Sequence, residues 1–211
     1  MTFEYADRAI RDMNKRNLRL FDRIKTLKFD DLNGLSLVGK TYEESIRIAM
    51  KRYKRIAEES FIDAMLILGY ERKAAEKAAE ETITEDWLLD MLEEYDPVTL
   101  YLFFSEAERK KQRLVEALVA ANNKAQEVDK ALRLWTLQVA YYADKSVVEG
   151  TIDGYKESGV EMVRWIAVDD EKTCSECKKL DGKVFPIDEV PPRAHFHCRC
   201  VLEPIKNKRD I

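Results

Sequence analysis

The sequence predicts a mainly α protein: a multi-helix body over residues 1–158, whose last and longest helix leads into a small α+β module over 159–211. Three observations predict it. Apolar residues recur at three- and four-residue spacings through the first three quarters of the chain, which puts a stripe on one face of each helix. That pattern stops at Gly159 and gives way to short, β-rich runs. The composition is rich in Ala, Glu, Lys, Leu and Arg, with 7 Gly and 5 Pro in 211 residues, and leans helical.

The elements follow in order. Ile10, Met13, Asn17, Leu20, Ile24 and Leu27 form the first stripe. Residues 28–40 break it with Gly34 and Gly39, and Thr41 with Glu44 reads as a capping box opening a new helix. That helix is expected to run to about Leu68 with Ile46, Tyr53, Ala57, Ala64 and Leu68 inward, and to end at Gly69. A charged, Ala-rich helix follows from Glu71. Thr84 with Glu85 and Asp86 restarts it, and Trp87, Met91 and Tyr95 form the apolar edge. Asp96-Pro97 is a cap followed by proline at the first helical position; Ser105 with Glu108 is another capping box, ahead of Leu114, Ala117, Leu118 and Ala121. The longest helix is expected from about Gln126 to Ser158, with Val128, Leu132, Trp135, Val139, Tyr142 and Ser146 inward. Gly150 and Gly154, four apart, permit close packing against a neighbour. Residues 163–168, 183–185 and 201–202 read as strands.

Charge narrows the function classes. The net charge is −4; residues 1–160 hold 26 basic and 30 acidic side chains, and residues 161–211 hold ten of each. Neither part has the basic excess of a DNA-binding protein, and the short basic run over 109–113 reads as a solvated helix face. The amino terminus has neither a basic nor an apolar segment of the kind a secretory signal needs. No apolar run approaches 18 residues, so no membrane span is expected. The expected setting is a reducing cytoplasm.

Gly34 to Thr41 matches the spelling of a phosphate-binding loop, with an apolar strand ending at Asp169 as its companion. The context rejects that reading. A phosphate loop leaves a buried strand and enters a helix inside a parallel sheet, whereas residues 28–33 form no buried strand and a long helical stretch separates the two motifs.

All four Cys and both His fall between Cys174 and Cys200. The order is Cys-x-x-Cys, twenty residues, then Cys-x-Cys, with His195 and His197 just upstream of Cys198. A Cys-x-x-Cys turn holds two thiolates within reach of one ion, and a second pair closes a tetrahedron. One structural zinc ion per chain is therefore expected, on four of Cys174, Cys177, His195, Cys198 and Cys200. Cys174 and Cys177 are the firmest; Cys198 and Cys200 share a face if their segment is extended, His195 competes with them, and His197 is the weakest. Disulfides do not suit a cytosolic chain. A redox Cys-x-x-Cys would need a thioredoxin-like fold, and a catalytic zinc would need an open position and a base, whereas Asp169, Asp170 and Glu171 read as a polar turn. A module this small is near the size at which metal or disulfides are needed to fold alone. Zinc free energies of roughly 10–16 kcal/mol rival the whole stability of a domain, about 5–15 kcal/mol. Trp165, Leu180, Val184, Phe185 and Leu202 are the expected small core beside the metal.

The stretch from Val163 through Thr173-Cys174-Ser-Glu-Cys177 and Leu180-Asp181-Gly182, then Pro191-Pro192 to His195-Phe-His-Cys198-Arg199-Cys200, resembles the carboxy-terminal signature of the phage Mu F-like minor head proteins, also called phage head morphogenesis proteins. Its departure is Phe196, where the family often has Pro. Residues 96–99 and the helix through Trp135 resemble the family more loosely, and residues 1–40 little. The resemblance implies a non-enzymatic virion component inside the capsid, assembled in the host cytoplasm. Its implied partners are the portal protein and capsid proteins, with a homo-oligomer at the portal vertex and packaged DNA as further candidates, and its implied roles are head assembly, DNA packaging or ejection. A zinc-stabilised nucleic-acid module is the alternative, suggested by Lys172, Lys178, Lys179 and Lys183; the neutral tail argues against it, because such binding depends on phosphate neutralisation.

Overall fold

The computed structural model of the protein describes residues 8, 11, 12, 15, 19, 32–93, 142–171, 173–192 and 198–205, with side chains at all of these except 32–46, 92 and 93. The first expected stripe lies outside the described residues, but Arg8, Arg11, Asp12, Lys15 and Arg19 beside it are helical and exposed, as the polar face of such a helix should be. Also outside them lie the expected caps at Asp96-Pro97 and Ser105, the helix after Ser105, and the longest helix before Tyr142.

Helix α1 spans Leu32–Ile67, which corrects the expected start at Thr41. Gly34, Gly39 and Thr41 all lie within it, so the Thr41 and Glu44 pair is not a capping box. Each interior glycine costs about 1 kcal/mol relative to alanine, too little to break a helix whose other residues continue it. The helix also disposes of the phosphate-loop spelling, since backbone turned into helix cannot wrap a phosphate. At its far end Gly69, with φ of +95°, closes α1 through bonds from its N–H to Leu66 O (3.0 Å) and from Tyr70 N–H to Met65 O (3.2 Å), the doubled bond pattern of a glycine-terminated helix.

Helices α2 (Arg72–Thr82) and α3 (Glu85–Glu93) follow. Ala75, Ala79 and Ile83 pack against Ala57, Phe61, Ile62 and Met65 of α1; alanine on the α2 side lets the two helices approach. The Thr84 hydroxyl caps α3 by accepting from Trp87 N at 3.1 Å. Two polar contacts fix α3 to α4, the helix over residues 142–157. Trp87 Nε1 donates to Asp153 at 2.6 Å, and Lys145 Nζ donates to the Met91 carbonyl at 2.6 Å, a cation at a helix carboxy terminus. Gly150 and Gly154 of α4 lie directly on the backbone of α1 at Ala57 and Phe61, the close packing that their spacing allows.

A three-stranded antiparallel sheet follows α4: β1 (Met162–Ile166), β2 (Val184–Pro186) and β3 (Val201–Pro204), in the order β2-β1-β3. Between them come the short helix α5 (Ser175–Leu180) and a single 3₁₀ turn, Ile187–Glu189. The bonds that pair β2 with β1 fall at Lys183 and Ile187, and β3 extends its pairing through Ile205 N–H to Met162 O. By strand alternation Pro186 and Pro204 then sit where a bond would point away from the sheet. A proline has no N–H to offer there, which blunts both edges against further pairing. Tyr155 of α4 also donates to the Leu202 carbonyl at 3.1 Å.

Two apolar clusters meet along β1. In the first, Val163 packs with Val160, Ile187, Ala64 of α1, and Ile152 and Tyr155 of α4. In the second, Trp165 packs with Cys177, Cys198 and Cys200, and with Leu180, Phe185 and Leu202 at its margin. Val190 and Leu202 pack against both. Val184, expected in the small core, is not in that cluster. It pairs with Arg164, and alternation turns it to the face opposite Trp165.

Candidate metal centre

The site is built from three local structures. The first is the Cys-x-x-Cys turn. Cys174 is the N-cap of α5, with extended backbone, and its sulfur accepts from Cys177 N at 3.3 Å. A residue with a side-chain acceptor is favoured at this position, so one cysteine opens the helix and the other sits in its first turn, buried. The second is the segment carrying Cys198 and Cys200. Both are buried while Arg199 between them is exposed, the alternation expected of extended chain, although the strand proper begins only at Val201. The third is the end of β1, which lays Trp165 against the sulfurs.

The Sγ atoms of Cys177, Cys198 and Cys200 all lie within 4.8 Å of one another, and Cys177 and Cys198 are 3.6 Å apart. Zinc–sulfur bonds near 2.3 Å in a tetrahedron put sulfurs about 3.8 Å apart, so this spacing fits one ion. None of the four cysteines is in a disulfide. Cys174 borders the same cluster and is half-buried. Burial is the main cause that pushes the Cys177 thiol well above its ordinary range, reinforced by the neighbouring sulfurs of Cys174, Cys200 and Cys198; burial likewise pushes Cys200 up. Burial thus disfavours the thiolate form of Cys177 and Cys200, and a cation held among the sulfurs would favour it. His195 and His197 lie outside the described residues. Trp165, Leu180 and Phe185 give the sulfurs an apolar lining.

The loops around the sulfurs carry features that the sequence reading missed. Arg199 grips Asp170 with both limbs of its guanidinium, at 2.6 and 2.7 Å, and that bond holds Arg199 firmly protonated. The same carboxylate accepts from the Thr173 hydroxyl at 3.1 Å, and that hydroxyl also contacts the Val168 carbonyl. The acidic run is thus a polar turn, as expected, and also the anchor for the Cys-Arg-Cys segment. The signal available was an arginine between two cysteines, with an Asp next to a Thr-Cys. Asp181 accepts from Ala167 N at 2.8 Å, Gly182 takes φ of +73° and donates to Trp165 O, and Lys183 O accepts from Trp165 N. Leu-Asp-Gly is therefore the turn that returns the chain from α5 to the end of β1.

Comparison with curated proteins and with solved structures returned no match. The match to a family covers the sequence that builds this centre and the helix leading into it, and starts beyond residues 96–99. The model of the family described as Phage Mu protein F like protein matches residues 113–203, and this segment of the chain is Mu F-like.

Proposed function

We propose that the protein is a minor head protein of a phage, a non-enzymatic virion component that acts through protein–protein contacts inside the capsid near the portal. The match of residues 113–203 to the Phage Mu protein F like family carries this reading. Its finer parts are head assembly at the portal vertex, with portal and capsid proteins as partners, and a role in DNA packaging or ejection. Among the described residues no helix is long and apolar enough to cross a membrane. Co-purification of the full chain with its cognate portal protein and procapsids tests the reading. Association with either is expected; no association with either would overturn it.

Within that reading, one zinc ion fastens residues 174–177 to residues 198–200 through Cys174, Cys177, Cys198 and Cys200. The sulfur geometry supports three of these, and the place of Cys174 at the same cluster supports the fourth, with His195 as its competitor. When bound, the ion supplies a cross-link between two chain segments and no open position for chemistry. Elemental analysis should find one zinc per chain, and Cys174→Ser should lower its retention more than His195→Ala. The reverse order would replace Cys174 with His195 as the fourth ligand. Of the lysines behind the nucleic-acid alternative, Lys179 is paired with Glu176 at 2.7 Å; a shift of duplex DNA at near-physiological salt would favour that alternative.

A further inference from the structure

Trp165 is 3% exposed, and its indole N–H is buried without a hydrogen-bond partner among the described residues. A buried donor left unmade is costly, and native proteins rarely tolerate one. The contrast within the same chain is Trp87, whose N–H goes to Asp153 at 2.6 Å. Around Trp165 the cluster consists of Ala167, Leu180, Phe185, Val190, Leu202 and the cysteines. The side-chain heteroatoms in that list are all sulfurs. Of these, Cys200 is the one that the pairing of β1 with β3 places on the same face as the ring. Strand pairing explains why the two meet. Trp165 pairs with Leu202, and Cys200 lies two residues before Leu202 on the same alternation, so the register brings ring and sulfur to one face.

A thiol is a weak acceptor; a metal-bound thiolate is a strong one. We propose that Trp165 is a positioning residue of the metal centre, its indole N–H donating to the metal-bound sulfur of Cys200. This rests on the zinc reading above. Among the described residues the donor has no other partner, and it would take up negative charge on the Cys200 ligand. It also holds Cys200 in the orientation that meets Cys177 and Cys198. Residues that orient metal ligands in this way are worth about 10–100-fold in affinity.

The test uses the full chain loaded with cadmium-113 and labelled with nitrogen-15 at tryptophan. One indole N–H should show a scalar coupling to the metal across the hydrogen bond, and Trp165→Phe should remove that signal. The same variant should bind zinc about tenfold or more weakly in competition with a chelator, with its helical circular dichroism retained. Metal uptake with no coupled indole N–H overturns the inference alone, as does an affinity within about twofold of the parent in a folded variant. If the variant fails to fold, the coupling in the unaltered protein decides. Failure of the chain to take up metal at all overturns the zinc reading and this inference with it.

Discussion

Gly150→Ala reverses the usual sign of a glycine substitution in a helix. In a helix interior the change ordinarily stabilises by about 1 kcal/mol. Here a Cβ on Gly150 would stand 2.4 Å from the Ala57 carbonyl oxygen, 2.9 Å from its Cα and 3.0 Å from its carbonyl carbon. These are backbone atoms of α1 and cannot swing aside. Ordinary contact begins at 3.4 Å, so α1 and α4 must part by roughly 1 Å, and a gap of that size forfeits about a quarter to a half of each dispersion contact along the seam. Overpacking of this kind costs about 1–3 kcal/mol, sometimes more, and the propensity gain offsets only part of it. Against immovable backbone the cost falls at the upper end, so the net loss should be about 1–2 kcal/mol, a fall in melting temperature of about 2–8 °C for a chain of this size, read by circular dichroism. Gly154→Ala, whose Cβ would lie 2.6 Å from Phe61 O, should behave alike. The double variant should cost less than the sum, because the first methyl has already opened the seam. A melting temperature for Gly150→Ala equal to or above the parent's would refute the close crossing of α1 and α4.

Three further outcomes are expected. The Tyr155 hydroxyl is pushed up to about 12, by burial first and by the charge of Glu203 second; its contribution to stability is therefore complete below pH 10 and lost as the pH rises from 10 towards 12. Tyr155→Phe should flatten that alkaline loss in a melting series, while costing about 1 kcal/mol at neutral pH because Leu202 O loses its donor. Removing zinc with a chelator should lower the melting temperature in one cooperative transition, since Val190 and Leu202 join the two clusters; a separate early transition confined to the tail would show that the clusters unfold independently. Arg199→Lys keeps the charge but loses one limb of the fork on Asp170, and should speed zinc release to a chelator with little change in melting temperature; unchanged release would remove the fork from the metal site.

The features legible in the sequence were those fixed by local spacing. Gly69 and Gly159 stop helices because a residue with positive φ is needed there, and the strands were found to within two residues because β-branched runs between turn residues have few other uses. Gly150 and Gly154 announced a close neighbour but not which one; that Ala57 and Phe61 meet them depends on how α1 folds back, which no local pattern records. The start of α1 was misread because Gly34 and Gly39 carry a strong local signal that the rest of a long helix outweighs. At the site, Cys177, Cys198 and Cys200 were legible as a cluster. The fork between Arg199 and Asp170 joins residues 29 apart whose charges look like any solvated pair in the sequence, and the indole N–H of Trp165 was hidden behind its apolar ring.

The arrangement along β1 joins two clusters. Val163 and Trp165 are two apart and share a face, yet Val163 belongs to a cluster made with α1 and α4, and Trp165 to the cluster around the sulfurs. One short strand therefore has its first half secured by helices and its second half by the cysteines. β2 and β3 pair with it across both halves, and their outer edges end in prolines that cannot recruit another strand. The sheet thus has no route to extra stability by growing. The family match runs through this same unit, from the helix that carries Gly150 and Gly154 to Glu203 in β3, so the helix and the cysteine-bearing sheet are matched together rather than the cysteine tail alone. A strand shared between the cluster made with the helices and the cluster made with the cysteines ties the two together with very little chain.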